Sequence, residues 1–123
     1  KVDTLYRKKL GAKGEKYAQE YLLKKGYQIL DEHVCFFGGE IDLIAKKKEM
    51  IIFVEVKTRS NEGYVPLEDS FSKKKIALVK RAADRWLEEH EEYNNFNYSI
   101  DIIGLLYQGE KFKKIIHLKN ITL

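Results

Sequence analysis

The chain has 123 residues, enough for one domain that buries about two-thirds of its unfolded surface, and its 44% hydrophobic and 34% charged content is that of a soluble globular protein. No apolar run approaches the roughly 20 residues that cross a bilayer, and the opening KVDTLYRKKLGAKGEK holds no apolar signal segment, so a cytoplasmic protein without membrane contact is expected. The single cysteine, Cys35, excludes an internal disulfide and a cysteine-cluster zinc site, and the net charge of +4 permits a nucleic-acid partner without requiring one.

Residues 5–25 read as a helix. Leu10, Gly14, Tyr17, Ala18, Tyr21 and Leu22 recur at helical spacing and form one stripe. Gly26 fits its C-terminal stop, with Lys24 and Lys25 where cations suit the helix dipole. Glu15 falls at the edge of the stripe, beside Leu22. It can lean over the sheet or stand as a solvated surface glutamate, and periodicity alone favours the second. Residues 27–30 make a short strand, continued by 34–37 after Asp31, Glu32 and His33. Gly38 and Gly39 then make a tight turn or bulge.

The next stretch, residues 39–59, organises the chain. Two apolar runs, 41–45 and 51–56, flank a polar break at 46–49 and read as a buried hairpin. With Lys48 and Glu49 as a two-residue turn, Asp42 lies opposite Glu55 and Glu40 opposite Lys57. Glu55 and Lys57 share a face in any register, because side chains alternate along a strand. Two directly opposed carboxylates repel, which disfavours the arrangement unless a cation lies between them.

Residues 59–71 (RSNEGYVPLEDSF) read as a loop, long enough to be functional. Ser72 can cap a helix from Lys73 to about Glu91, with Ile76, Val79, Ala83, Trp86 and Leu87 as its buried stripe. Lys73, Lys74, Lys75, Lys80, Arg81 and Arg85 crowd its first half and flanks, as a solvated face or as a phosphate-contacting surface. After a loop at 93–97, residues 98–107 and 112–118 read as two strands joined by a turn at 108–111. Helix, strands, helix, strands implies a mixed sheet covered by two helices, within a single domain spanning 1–123.

Asp42, Glu55 and Lys57 form the candidate site. Hydrolysing a phosphodiester requires a nucleophilic water and relief of negative charge on the phosphate. Hard divalent cations supply both, and they prefer carboxylate, carbonyl and phosphate oxygen. Two carboxylates on adjacent strands suit such an ion, and the Val56 carbonyl could add a ligand at the edge. A lysine two residues beyond Glu55 reaches the same side and could orient water or offset phosphate charge. The bland alternative is a structural ion pair of Glu55 with Lys57, and residue chemistry alone weighs the two evenly.

Gly39-Glu40-Ile41-Asp42-Leu43-Ile44 followed by Phe53-Val54-Glu55-Val56-Lys57-Thr58-Arg59 resembles the D-(x)n-(D/E)-x-K motif of restriction-endonuclease-like nucleases. More closely, the chain resembles the bacterial YraN family, related to archaeal Holliday-junction resolvases. The likeness extends to Gly14-Glu15, Ala18, Tyr21-Leu22 and Gly26-Tyr27, then to Lys75, Ala82-Ala83, Trp86-Leu87 and Asp101-Ile102-Ile103. It implies a restriction-endonuclease-like mixed β-sheet flanked by helices, with Asp42 and Glu55 as ligands of Mg²⁺ or Mn²⁺ and Lys57 as the catalytic lysine. It also implies Glu15 as a further catalytic or metal-binding residue and DNA, including branched DNA, as substrate. A homodimer is expected on the same ground. Glu40 ranks as a supplementary ligand or supporting residue, and Arg59, Lys73, Lys74, Lys75 and Arg81 as candidate backbone contacts. Ser99 departs from the family, where an arginine is common. The alternative function is a nucleic-acid-binding module that keeps the fold without catalysis.

The remaining polar residues read as structural. His33, His90 and His117 are too scattered for a metal cluster, and His90 reads as a packed core histidine. Cys35 reads as a small buried hydrophobe. Asp101 interrupts an apolar strand and is expected to bond a nearby backbone group or lysine.

Overall fold

In the computed structural model, which describes residues 4–60 and 71–121, helix α1 spans Thr4–Lys24. Its buried residues Leu10, Gly14, Ala18 and Leu22 repeat every four residues, so one narrow stripe faces the sheet. Gly26 ends the helix at φ 94°. Its left-handed backbone lets Tyr27 N–H return to the Leu22 carbonyl at 2.9 Å.

Five strands form one sheet in the order β1-β2-β3-β4-β5: β1 Gln28–Phe36, β2 Gly39–Lys47, β3 Met50–Arg59, β4 Asn97–Gln108 and β5 Lys111–Leu118. Neighbours are antiparallel except β3 and β4, which run parallel. Parallel neighbours need a crossover, and helix α2, Lys73–Glu88, lies within it. Ser72 caps α2, its hydroxyl accepting Lys75 N–H at 3.1 Å. A 3₁₀ turn at Glu91–Tyr93 follows, so α2 stops three residues short of the expected end.

Each helix covers one face. Val79, Ala82, Ala83 and Trp86 of α2 pack with Ile41, Ile44, Ile51, Phe53 and Ile100. Ala18 and Leu22 of α1 pack with Leu43, Ala45, Ile52, Val54, Ile103 and Leu105. This is the mixed sheet between two helices that the element order implied, and it agrees with a restriction-endonuclease-like architecture. Among the described residues, no helix is long and apolar enough to cross a membrane. The expected loop at 59–71 lies largely outside the described residues.

Two expectations need correction. The segments 27–30 and 34–37 are parts of one strand, β1, which absorbs its irregularity as a register shift between Ile29 and Asp31 and a left-handed His33 at φ 54°. Cys35 is exposed, not buried. Its neighbours Val34 and Phe36 turn to the α2 face, which aims the Cys35 side chain at the opposite face of an edge strand, where it is exposed.

Candidate functional site

The β2–β3 hairpin has the register read from sequence. Lys47 pairs with Met50 across Lys48 and Glu49, and the pairing runs on to Leu43 with Val54. There the ladder ends, one step before Asp42 and Glu55. In place of a backbone partner, Val56 N–H donates to Asp42 Oδ2 at 2.7 Å. The N–H and C=O of a strand residue leave by the same edge, so the Val56 carbonyl also faces β2 beside Asp42.

A slip in side-chain alternation aims Asp42. On β2, Ile41 and Ile44 both face α2, three residues apart instead of two, while Leu43 and Ala45 face α1. On β1 the same step occurs. Asp31 bonds Trp86 Nε1 of α2 at 3.0 Å and Val34 packs on the α2 side, while Glu32 and His33 both reach α1, through Gln19 at 3.1 Å and Glu15 at 3.1 Å. The two slips fall on His33 and Asp42, which the β1–β2 register places opposite each other. Such irregularities re-aim a side chain without ending the sheet.

Helix α1 is drawn in beside them. A Cβ on Gly14 would collide with the Thr58 hydroxyl of β3, so glycine permits this approach, and the next residue, Glu15, feels the charge of Asp42. The Thr58 hydroxyl is buried and has no hydrogen-bond partner among the described residues.

The carboxylates are under electrostatic stress. Desolvation, and then the charge of Asp42, lift the Glu55 carboxyl from its ordinary 4.5 to about 7. Lys75 and Lys57 pull it back down, without cancelling the rise. Asp42 is also raised, by desolvation first, with Val56 N–H, His33 and Lys75 opposing and Glu40 adding. Glu15 is raised by desolvation and then by Asp42, against His33. Three acidic groups therefore share one region with too little positive charge to neutralise them.

The nearest cation is Lys75, whose Nζ stands 3.2 Å from Glu55 Oε2. Glu55 is 16% exposed and Lys75 44%, so the pair sits at the rim of the site. Glu55, Glu40, Gly38, Gly39, Ser72, Lys74 and Lys75 line an open cavity of about 400 Å³ between the β1–β2 turn and the start of α2. Gly39 is required there, because a Cβ would strike the Leu78 carbonyl of α2.

Of the residues singled out from sequence, Asp42 is the common neighbour: its charge acts on both Glu15 and Glu55, Lys57 acts on Glu55, Val56 N–H bonds Asp42, and Glu40 lies on the cavity wall. Lys74 and Lys75 line the same cavity, Lys73 is exposed at the head of α2, and Arg81 lies further along it. Arg59 is half-buried at the end of β3. Among the described residues, no three carboxylate, imidazole or thiol groups converge closely enough to cage a metal ion as the side chains stand.

Sequence reasoning passed over His33, which reaches Glu15. A two-residue turn at Phe37 and Gly38 would have paired His33 with Asp42. Asp101 proves structural. Only 1% exposed, it accepts from Ser99 Oγ at 2.8 Å and Asn120 N–H at 3.0 Å, and it meets His117 Nε2 at 2.8 Å. His117 in turn contacts the Tyr21 hydroxyl of α1 at 3.1 Å. The expected backbone bond is present, with a histidine where a lysine was the other expectation. His90 is half-buried and stacks on Trp86 at 3.8 Å.

A family model described as "Uncharacterised protein family UPF0102" matches residues 14–105, which span Glu15, the hairpin, α2 and most of β4. The chain belongs to the UPF0102 family. This is the YraN family of the resemblance. Relatives agree over nearly full length. A UPF0102 protein of Carboxydothermus hydrogenoformans is 34% identical over 94% of this chain and 96% of its own. One from Syntrophomonas wolfei is 36% identical over 92% and 96%. Another, from Alkaliphilus oremlandii, is 37% identical over 92% and 97%.

Proposed function

We propose that this UPF0102 protein is a divalent-metal-dependent nuclease that hydrolyses DNA phosphodiester bonds, with branched DNA as its candidate substrate. One observation carries the reading: Asp42 and Glu55 meet where the β2–β3 ladder opens, and the Glu55 carboxyl is pushed up to about 7 despite two nearby lysines. A cluster of desolvated carboxylates is costly unless a cation resides there. The donors are hard oxygens, which suit Mg²⁺ or Mn²⁺. Such ions need only one or two protein carboxylates when waters and substrate phosphate complete the shell, and Asp42 and Glu55 would supply them. Asp42 and Glu55 would hold the ion, with Glu15 and the Val56 carbonyl as further donors and Glu40 in support. When bound, it would polarise the phosphate and lower the pKa of water.

The chain's own groups have separate tasks. Lys57, exposed on the same face as Glu55, orients the attacking water or offsets charge on the phosphate. Val56 N–H fixes the Asp42 carboxylate. Lys74 and Lys75 line the cavity where a phosphate backbone would enter, with Lys73, Arg81 and Arg59 as outer contacts. Lys75 Nζ stands 3.2 Å from Glu55 Oε2 and offsets part of its charge. A homodimer would present two such sites to a four-way junction.

The second reading, a binding module without catalysis, draws on the same Lys75–Glu55 pair, in which a lysine already partners the carboxylate. Calorimetric titration with Mn²⁺ separates the two. The nuclease reading expects saturable uptake that Asp42→Asn abolishes while the fold is kept. DNA binding with no carboxylate-dependent metal uptake would favour the module.

A further inference from the structure

The turn between β1 and β2 holds an aromatic ring outward. Phe37 has φ 55° and Gly38 φ 81°, so a bulky side chain occupies a conformation that usually favours glycine. Phe37 is 57% exposed, whereas the adjacent Phe36 packs against the core. The Phe37 ring meets that of Phe36 at a centroid distance of 6.4 Å and otherwise stands largely in solvent.

Its surroundings give the ring a chemistry. The Arg81 guanidinium lies over it, 5.4 Å from its centroid, and Arg85 stands 6.0 Å away. Arg85 is shared with Glu89 at 3.0 Å, but no carboxylate pairs with Arg81 among the described residues. Asp84 and Glu88 border the ring on the same flank and would repel a phosphate. On the other side Gly38 and Gly39, the next two residues, line the cavity that holds Glu55, Lys74 and Lys75. An exposed ring with an available guanidinium therefore stands at one end of a turn, and a lysine-lined cavity with the candidate site opens at the other.

We propose that Phe37, steadied by Arg81, is a stacking platform for an unpaired base of DNA whose backbone runs past Gly38 and Gly39 to the site at Glu55. This rests on the nuclease reading and deepens it by naming the substrate class as DNA that exposes unpaired nucleotides. Every base offers a π-face to an aromatic ring, whereas bases inside a duplex are already stacked on each other. Basic side chains beside such a ring track the backbone, and an arginine–aromatic contact steadies the platform. Both sides carry two basic and two acidic residues, so the direction of the strand is set by the candidate site at Glu55, which lies on the cavity side.

The test is equilibrium binding in chelator, so that nothing is cut, with a short labelled single strand and the blunt duplex of the same sequence. Phe37→Ala is expected to weaken single-strand binding roughly 5- to 140-fold, the range of base–aromatic stacking, and to leave duplex binding unchanged. Phe37→Trp is expected to bind as the wild type does, and its fluorescence to be quenched by the single strand beyond any change in the wild type, whose Trp86 is buried. The proposal is overturned if Phe37→Ala binds the single strand as tightly as wild type, if it weakens both DNAs equally, or if the Phe37→Trp fluorescence is unmoved. The Trp variant keeps the test valid should the Ala variant fold poorly. A protein that stacks but cuts no DNA with Mg²⁺ or Mn²⁺ refutes the nuclease reading alone. One that cuts DNA with no effect of Phe37 refutes the platform alone.

Discussion

Replacing Glu55 by glutamine is expected to make the metal-free protein more stable at neutral pH, although it deletes an ion pair. The carboxyl is 16% exposed, and desolvation and Asp42 lift it from 4.5 to about 7. A carboxyl raised in the folded state contributes its full stability below the unfolded value, and that contribution is lost as pH rises through the folded value. Wild type should therefore lose stability between about pH 4.5 and 7. Holding the proton that much more tightly corresponds to at most about 3 kcal/mol. The Lys75 pair is already within that figure, because its charge and hydrogen bond help hold the carboxyl down at about 7. The expected gain is therefore about 3 kcal/mol above pH 7, or roughly 12 °C in Tm for a chain of this size. Thermal melts in chelator from acid to mildly alkaline pH read it directly. The two proteins should melt together at the acid end and diverge as pH rises. Mn²⁺ should then raise the wild-type Tm and leave Glu55→Gln unmoved. If Glu55→Gln is the less stable protein at neutral pH, or the gap does not grow with pH, the carboxylates are not under stress and the case for a resident cation collapses.

Other outcomes follow from single contacts. Gly39→Ala puts a Cβ against the Leu78 carbonyl, which is backbone and cannot swing aside, so chemical denaturation should show a loss of about 1–3 kcal/mol. His117→Phe leaves the Asp101 carboxylate buried without its imidazole partner and should cost about 3–5 kcal/mol at neutral pH by the same assay. Desolvation works against the Asp101 carboxylate, but the His117, Asn120 and Ser99 bonds outweigh it and hold its pKa below the ordinary 3.8. That stability is present above the unfolded value and lost as pH falls through the folded one, so Asp101→Asn should flatten the acid limb of the stability curve.

The hairpin could be read from sequence because its determinants are local. Two Ile- and Val-rich runs and a polar break fix the turn at Lys48 and Glu49, and the turn fixes which residues face each other. The helices were legible for the same reason, through their stripes, the Ser72 cap and the Gly26 stop. What escaped depends on contacts between distant segments. His33 reaches Glu15 only because β1 lies antiparallel to β2 and its alternation slips at that residue. Lys75 reads as one lysine in a basic run, and only the packing of α2 on the sheet brings its amine to Glu55. Cys35 looks buried because its neighbours are apolar, yet they face the other side of an edge strand. Asp101 and His117 meet because β4 and β5 pair, which a local apolar pattern does not encode.

The most direct measurement is a cleavage screen of linear, flapped and four-way DNA with Mg²⁺ and with Mn²⁺, run on wild type beside Lys57→Ala. The account predicts cleavage by wild type, none in chelator, and a fall of on the order of 10²-fold or more in Lys57→Ala with the fold intact. A wild-type protein that binds Mn²⁺ yet cuts none of these DNAs, or a Lys57→Ala protein that cuts as fast as wild type, would contradict it.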